Sequence, residues 1–212
     1  MEDQLRAAFL RMKRQEAMDI VKAEINRGTD PLAILKACRH AMEEVGRKFE
    51  TGEFFLSELI YSTEVFKGIN TILEPLLKSA RENDIVEGSV VFGTPKGDIH
   101  DLGKNIVITM MKAYGFVVYD LGIDVPPGKF ILELQRTGSS ILAMSALMTP
   151  TFEAMKETMK RLKEQGLREK IFVIIGGAVT SEFVRKEVGA DAQTLDPTQA
   201  VRLCRNYLRT RR

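Results

Sequence analysis

From residue 89 onward, short and nearly continuous apolar runs alternate with longer amphipathic stretches. This alternation limits the possible folds more than any other feature of the chain. The runs are Ser89–Gly93, Phe116–Asp120, Ser140–Ser145, Ile171–Ile175 and the weaker Ala192–Leu195. The stretches Lys104–Ala113, Gly128–Thr137, Thr151–Glu164, Ser181–Val188 and Thr198–Arg209 repeat apolar residues at helical spacing. Strands that are apolar at nearly every position are buried on both faces, and strands separated by helices pair in parallel. The pattern predicts an α/β fold with a flavodoxin-like (Rossmann-like) five-stranded parallel sheet. Ligands bind such sheets at the carboxyl ends of the strands, beside the point where strand order reverses.

The first ~80 residues carry only the helical period. Two helices are expected at Gln4–Lys13 and Gln15–Asn26. A third starts at Asp30-Pro31, where Asp caps and Pro tolerates the first helical position, and ends near Thr51-Gly52. A fourth begins near Phe55 and reaches Pro75, which can kink it. These helices predict a small bundle over residues 1–82. The polar stretch Lys78 to Gly88 is the expected linker, and the sheet domain is expected over 88–212.

Composition narrows function by exclusion. A net charge of +2 gives no general argument for nucleic acid. No apolar run approaches the roughly 18 residues of a membrane span. The polar start Met1-Glu2-Asp3-Gln4 has no apolar signal-peptide core, so a cytoplasmic location is expected. Cys38 and Cys204 have no C-x-x-C partner and read as structural thiols in a reducing compartment.

The chemistry-bearing residues gather at the predicted strand ends. Gly97-Asp98-Ile99-His100-Asp101-Leu102-Gly103-Lys104-Asn105 follows the first strand. Ser145, Thr149 and Thr151 follow the third, and Gly176-Gly177-Ala178 the fourth. Neutral imidazole is a good transition-metal ligand, and its second nitrogen commonly donates to a carboxylate, a place Asp98 can fill. One histidine makes a poor zinc site, because structural zinc needs four protein ligands. A metal held by one protein ligand arrives already held by a macrocycle. Singly, these residues have simpler readings: Asp98 as a turn or cap, Thr151 as a helix cap, Gly176-Gly177 as a tight turn, and Phe49 and Leu56 as core.

Together, the D-x-H-x-x-G segment, Ser145-Ala146-Leu147-Met148-Thr149-Pro150 and Gly176-Gly177-Ala178 resemble the cobalamin-binding module of methionine synthase. The chain looks closer still to the free-standing corrinoid proteins of methyltransferase systems. The helical half is similar to that family's cap through Phe49-Glu50-Thr51-Gly52-Glu53-Phe54-Phe55-Leu56 and Leu73-Glu74-Pro75. The resemblance implies that His100 ligates cobalt, that Asp98 hydrogen-bonds it, and that Thr151 stands where the family has a relay serine. It implies corrinoid contacts from Ser145 and Thr149, and a slot for the nucleotide tail lined by Gly176 and Gly177. Phe49 and Leu56 would cover the methyl-bearing face. Gly97, Asp101, Gly103 and Leu147 complete the implied cofactor-binding set.

The implied function is a methyl carrier in one-carbon metabolism, inactive alone. Its cobalamin or related corrinoid would accept a methyl group as cob(I)alamin and hold it as methylcob(III)alamin. The implied partners are a substrate:corrinoid methyltransferase, a second methyltransferase acceptor and a reductive activation protein, with no nucleic acid and no membrane. Rivals are a cobalamin-based sensor, the cobalamin-binding subunit of a radical mutase, and a flavin-binding or phospho-accepting protein on the same fold.

Overall fold

The computed structural model describes residues 1–77 and 87–210. Its contacts divide the chain into two units, Met1–Val86 with Ala113–Gly115, and Glu87–Lys112 with Phe116–Arg212. Most of the expected linker, Lys78 to Gly88, lies outside the described residues; its last residue opens the first strand.

The first unit holds α1 (Glu2–Leu10), α2 (Arg14–Asn26), α3 (Pro31–Glu50) and α4 (Leu56–Leu77). Asp30 caps α3 by accepting the Leu32 N–H at 3.0 Å, with Pro31 in the first turn. α3 packs on α1 and α4 through a core that includes Leu5, Phe9, Ile34, Met42, Leu59 and Ile69. Pro75 is accommodated inside the last turn of α4. Among the described residues no helix is long and apolar enough to cross a membrane.

The second unit holds β1 (Gly88–Gly93), α5 (Leu102–Ala113), β2 (Phe116–Asp120), α6 (Pro127–Thr137), β3 (Ile141–Ser145), α7 (Thr151–Glu164), β4 (Phe172–Gly176), α8 (Glu182–Val188), β5 (Ala192–Gln193) and α9 (Pro197–Thr210). The strands pair in parallel in the order β2-β1-β3-β4-β5, so the flavodoxin-like expectation holds. Val91, Leu142, Met144, Val173 and Ile175 pack in one cluster with Phe130 of α6, Met155 of α7 and Val184 of α8. On the other face α9 lies against β4, with Tyr207 stacked on Phe172 at 4.8 Å.

β5 stops two residues earlier than expected, at Gln193. The Thr194 hydroxyl turns to the Gln199 side chain, and Asp196 accepts the Thr198 N–H at 2.7 Å. Capping α9 thus ends the strand, and the helix opens at Pro197 rather than Thr198. Cys38 and Cys204 are buried and unbonded, and burial pushes both thiols up to about 12, which leaves them unreactive.

Candidate metal-macrocycle site

Strand order reverses between β1 and β3, and the loops leaving these two strands meet. The β1 loop carries Asp98 and His100. Asp98 is completely buried, whereas half of the His100 side chain is exposed. His100 Nδ1 lies 2.7 Å from Asp98 Oδ1, which also accepts the His100 backbone N–H at 3.0 Å. The other carboxylate oxygen accepts the N–H groups of Leu147 at 2.6 Å and Met148 at 3.2 Å, both from the β3 loop.

Burial alone would raise the Asp98 pKa, but amide bonds from Leu147 and His100, and then the imidazole, outweigh it and hold the pKa below its ordinary value. An ionised carboxylate only accepts, so Nδ1 carries the ring proton. In the neutral ring this leaves the lone pair on Nε2, the state a metal requires. Among the described residues no group of three or more His, Cys, Asp or Glu could hold a metal ion. The other histidine, His40, is exposed in the first unit with Nδ1 2.8 Å from Glu2.

Gly103 offers a second test of fit. It sits in the first turn of α5 with no positive φ, and a Cβ there would meet nothing within 4 Å. Neither backbone geometry nor packing calls for glycine, so the open space fits a bulky ligand. Exposed apolar side chains adjoin His100: Ile99 (69%), Leu102 (72%), Leu147 (40%) and Met148 (40%). A flat macrocycle would cover them. Gly103→Ala is expected to stabilise the apoprotein by about 0.5–1 kcal/mol, because alanine suits a helix better. It is also expected to weaken hydroxocobalamin binding. Thermal unfolding and a spectroscopic titration measure the two effects, and unchanged affinity would refute the ligand-space reading.

The Thr151 hydroxyl makes its bond away from the Asp98 carboxylate. It is buried and donates to the Met148 carbonyl at 2.5 Å. It neither caps α7 nor joins the His100–Asp98 pair. A hydroxyl within reach of its own turn's carbonyl is satisfied locally. Thr151 therefore holds the loop whose amides grip Asp98, and the hydrogen-bond chain from the imidazole ends at those amides.

Ser145 is buried at the end of β3, in register with Gly176, and Thr149 is exposed. At Gly177, where φ is +99°, a Cβ would run into the Ala146 carbonyl, and at Gly176 it would lie 2.9 Å from the Thr194 carbonyl. The chain's own backbone therefore requires both glycines. Gly97 and Asp101 are exposed beside His100. In the first unit, Phe49 near the end of α3 is partly buried and Leu56 at the start of α4 is exposed.

Sequence reasoning missed three contributors. The buried Thr94 hydroxyl donates to the His100 carbonyl at 3.1 Å, from a position directly after β1. Lys104, buried at the start of α5, reaches both Asp120 oxygens at 2.8 and 2.9 Å and ties that helix to the end of β2. Asp124, in the β2 loop, accepts the Gly97 N–H at 2.8 Å. Its neighbours Gly122 and Pro126 mark a turn, the one local signal pointing to it.

A doubly wound sheet with one proton-locked imidazole at its reversal point fits a class of proteins that take up a metal whose other positions are already filled. Comparison with known proteins bears on that class directly. Models described as B12 binding domain match residues 88–201 and, as a second such domain, residues 1–74. The dimethylamine corrinoid protein of Methanosarcina barkeri is 32% identical over 205 residues, covering 97% of this chain and 96% of that protein. A cobalamin-binding protein from Desulfitobacterium hafniense DCB-2 superposes with a TM-score of 0.78 at 31% identity, covering 98% of each chain. The methanol:cobalamin methyltransferase complex MtaBC of Methanosarcina barkeri contains a chain matching with a TM-score of 0.85 at 26% identity, covering 97% of this chain and 78% of that one. The chain belongs to the B12-binding corrinoid proteins.

Proposed function

We propose that this protein is the corrinoid methyl carrier of a multi-protein methyltransferase system. The observation that carries the reading is the His100 imidazole, locked by buried Asp98 with Nε2 free, at the sheet's reversal point and beside the open space over Gly103. When bound, the corrinoid supplies a cobalt centre that takes up and gives away a methyl group. His100 would hold that centre through Nε2, and Asp98 would keep the ring proton on Nδ1. The Leu147 and His100 amides hold the Asp98 pKa below its ordinary value, and the Met148 amide adds a third bond to the carboxylate. Residues 1–82 would form the cap, with Phe49 and Leu56 on the face that excludes water, and residues 88–212 would form the corrinoid-binding domain.

The protein works with methyltransferases. A second methyltransferase as acceptor, a reductive activation protein and a cytoplasmic setting belong to the same proposal. Relatives named for dimethylamine and for methanol favour methyl carriage over a radical mutase or a sensor. The test is methyl loading of corrinoid-reconstituted, reduced protein, followed by absorbance with methylamines and methanol as donors. Loading is expected only after a cognate substrate:corrinoid methyltransferase is added. Loading by the isolated protein, or failure to bind hydroxocobalamin at all, would refute the proposal.

A further inference from the structure

Among the described residues only Met12 and Asp124 depart from glycine and still adopt positive φ, at 57° and 51°. L-residues avoid this region; Asn and Asp tolerate it best. At Asp124 the geometry is put to use. The parallel pairing of β1 with β2 continues past both strands: Val125 N–H donates to the Thr94 carbonyl, and Lys96 N–H to the Val125 carbonyl, both at 2.9 Å. A further bridge pairs Pro95 with Val125. Asp124 then turns left-handed and makes two contacts with the next residues of the β1 loop. Its N–H donates to the Asp98 carbonyl at 3.0 Å, and its carboxylate accepts the Gly97 N–H at 2.8 Å.

Gly97 is itself left-handed at φ +92°, so the chain reverses there immediately before Asp98. Asp98 is thus held from two sides. The β3 loop grips its carboxylate, and Asp124 grips its backbone and that of the preceding residue. Rotation of the loop about Gly97 would swing Asp98 and the His100 ring together. The Gly97 bond to Asp124 opposes this at the turn itself, beside the Asp98 N–H bond to the Pro95 carbonyl at 3.2 Å and the Thr94 hydroxyl bond to the His100 carbonyl at 3.1 Å.

We infer that Asp124 is a positioning residue: it fixes the turn at Gly97 and so presents the His100 imidazole pre-oriented to the corrinoid. The inference rests on the proposed function only for what His100 meets; the loop contacts are those of the chain alone.

Two variants separate the carboxylate from the backbone conformation. Asp124→Gly keeps the left-handed turn and removes the acceptor. Asp124→Asn keeps both, because an amide oxygen also accepts the Gly97 N–H. In apoprotein, NMR of D124G is expected to show roughly tenfold faster exchange of the Gly97 amide and shifted or broadened His100 ring signals. D124N should match the wild type. Hydroxocobalamin affinity of D124G should fall by about tenfold, the lower range of outer-shell effects on metal binding. Unchanged His100 signals and Gly97 exchange in D124G would overturn the inference, whatever the corrinoid does. Failure of wild-type protein to place a histidine nitrogen on cobalt would instead overturn the proposed function, leaving the apoprotein result to decide the role of Asp124.

Discussion

Replacing His100 by alanine is expected to remove histidine ligation from bound cobalamin completely. The chain has one other histidine, His40, and its Nδ1 lies 2.8 Å from Glu2. The exposed half of the His100 ring makes little packing contribution, so the fold should survive. The loss is the charge-assisted bond to Asp98, about 1–2 kcal/mol. The three backbone donors to Asp98 remain. Changes in the outer shell of a metal site alone cost about 10–100-fold in affinity, so loss of the ligand itself should cost at least that. Protein labelled with 15N-histidine and loaded with hydroxocobalamin, then reduced by one electron, gives the decisive readout. The wild type should show the EPR splitting of one 15N nucleus, and His100→Ala none. Identical spectra would remove His100 from the cobalt.

What could be read from sequence divides along physical lines. β2 and α7 match expectation residue for residue, because the left-handed Gly115 precedes Phe116 and Pro150 precedes Thr151. Both boundaries are local events. The Asp98–His100 contact is local too: a carboxylate two residues before a histidine reaches both its backbone N–H and its ring. The donors from Leu147 and Met148 are backbone amides, which every residue but proline owns, so side-chain identity could not mark them. Leu147 belongs to the cofactor-binding set that the resemblance implies, and its amide makes the 2.6 Å bond to Asp98. Thr151 was placed in the relay by resemblance, but its hydroxyl finds a carbonyl three residues back in its own turn. The Asp124 clamp depends on β1–β2 register continuing beyond both strands, a long-range property that spacing along the chain does not contain.

Asp98→Asn should separate folding from ligation more sharply than any truncation. Both oxygens of Asp98 accept, Oδ1 from the His100 backbone and ring, Oδ2 from Leu147 and Met148. An amide has one acceptor, so its NH2 must face donors on one side. Turned toward the β3 loop, it opposes two backbone N–H groups and releases that loop. Turned toward His100, it opposes the His100 backbone N–H, and its bond to the ring survives only if Nδ1 accepts. The ring proton then sits on Nε2, where it blocks the lone pair a metal needs. Either orientation disfavours ligation. A fall of about 10–100-fold in hydroxocobalamin affinity is expected, with a reduced histidine signal on cobalt. Asp98→Ala removes the acceptor for all three backbone amides, and unsatisfied buried donors cost about 1–3 kcal/mol each. Because Leu147 and Met148 are partly exposed and water can reach their loop, the net loss should be about 2–4 kcal/mol in denaturant unfolding. Asp98→Asn should lose less stability than Asp98→Ala and still bind poorly. If it instead binds hydroxocobalamin like the wild type, with the histidine nitrogen on cobalt, then Asp98 does not set the proton position on His100.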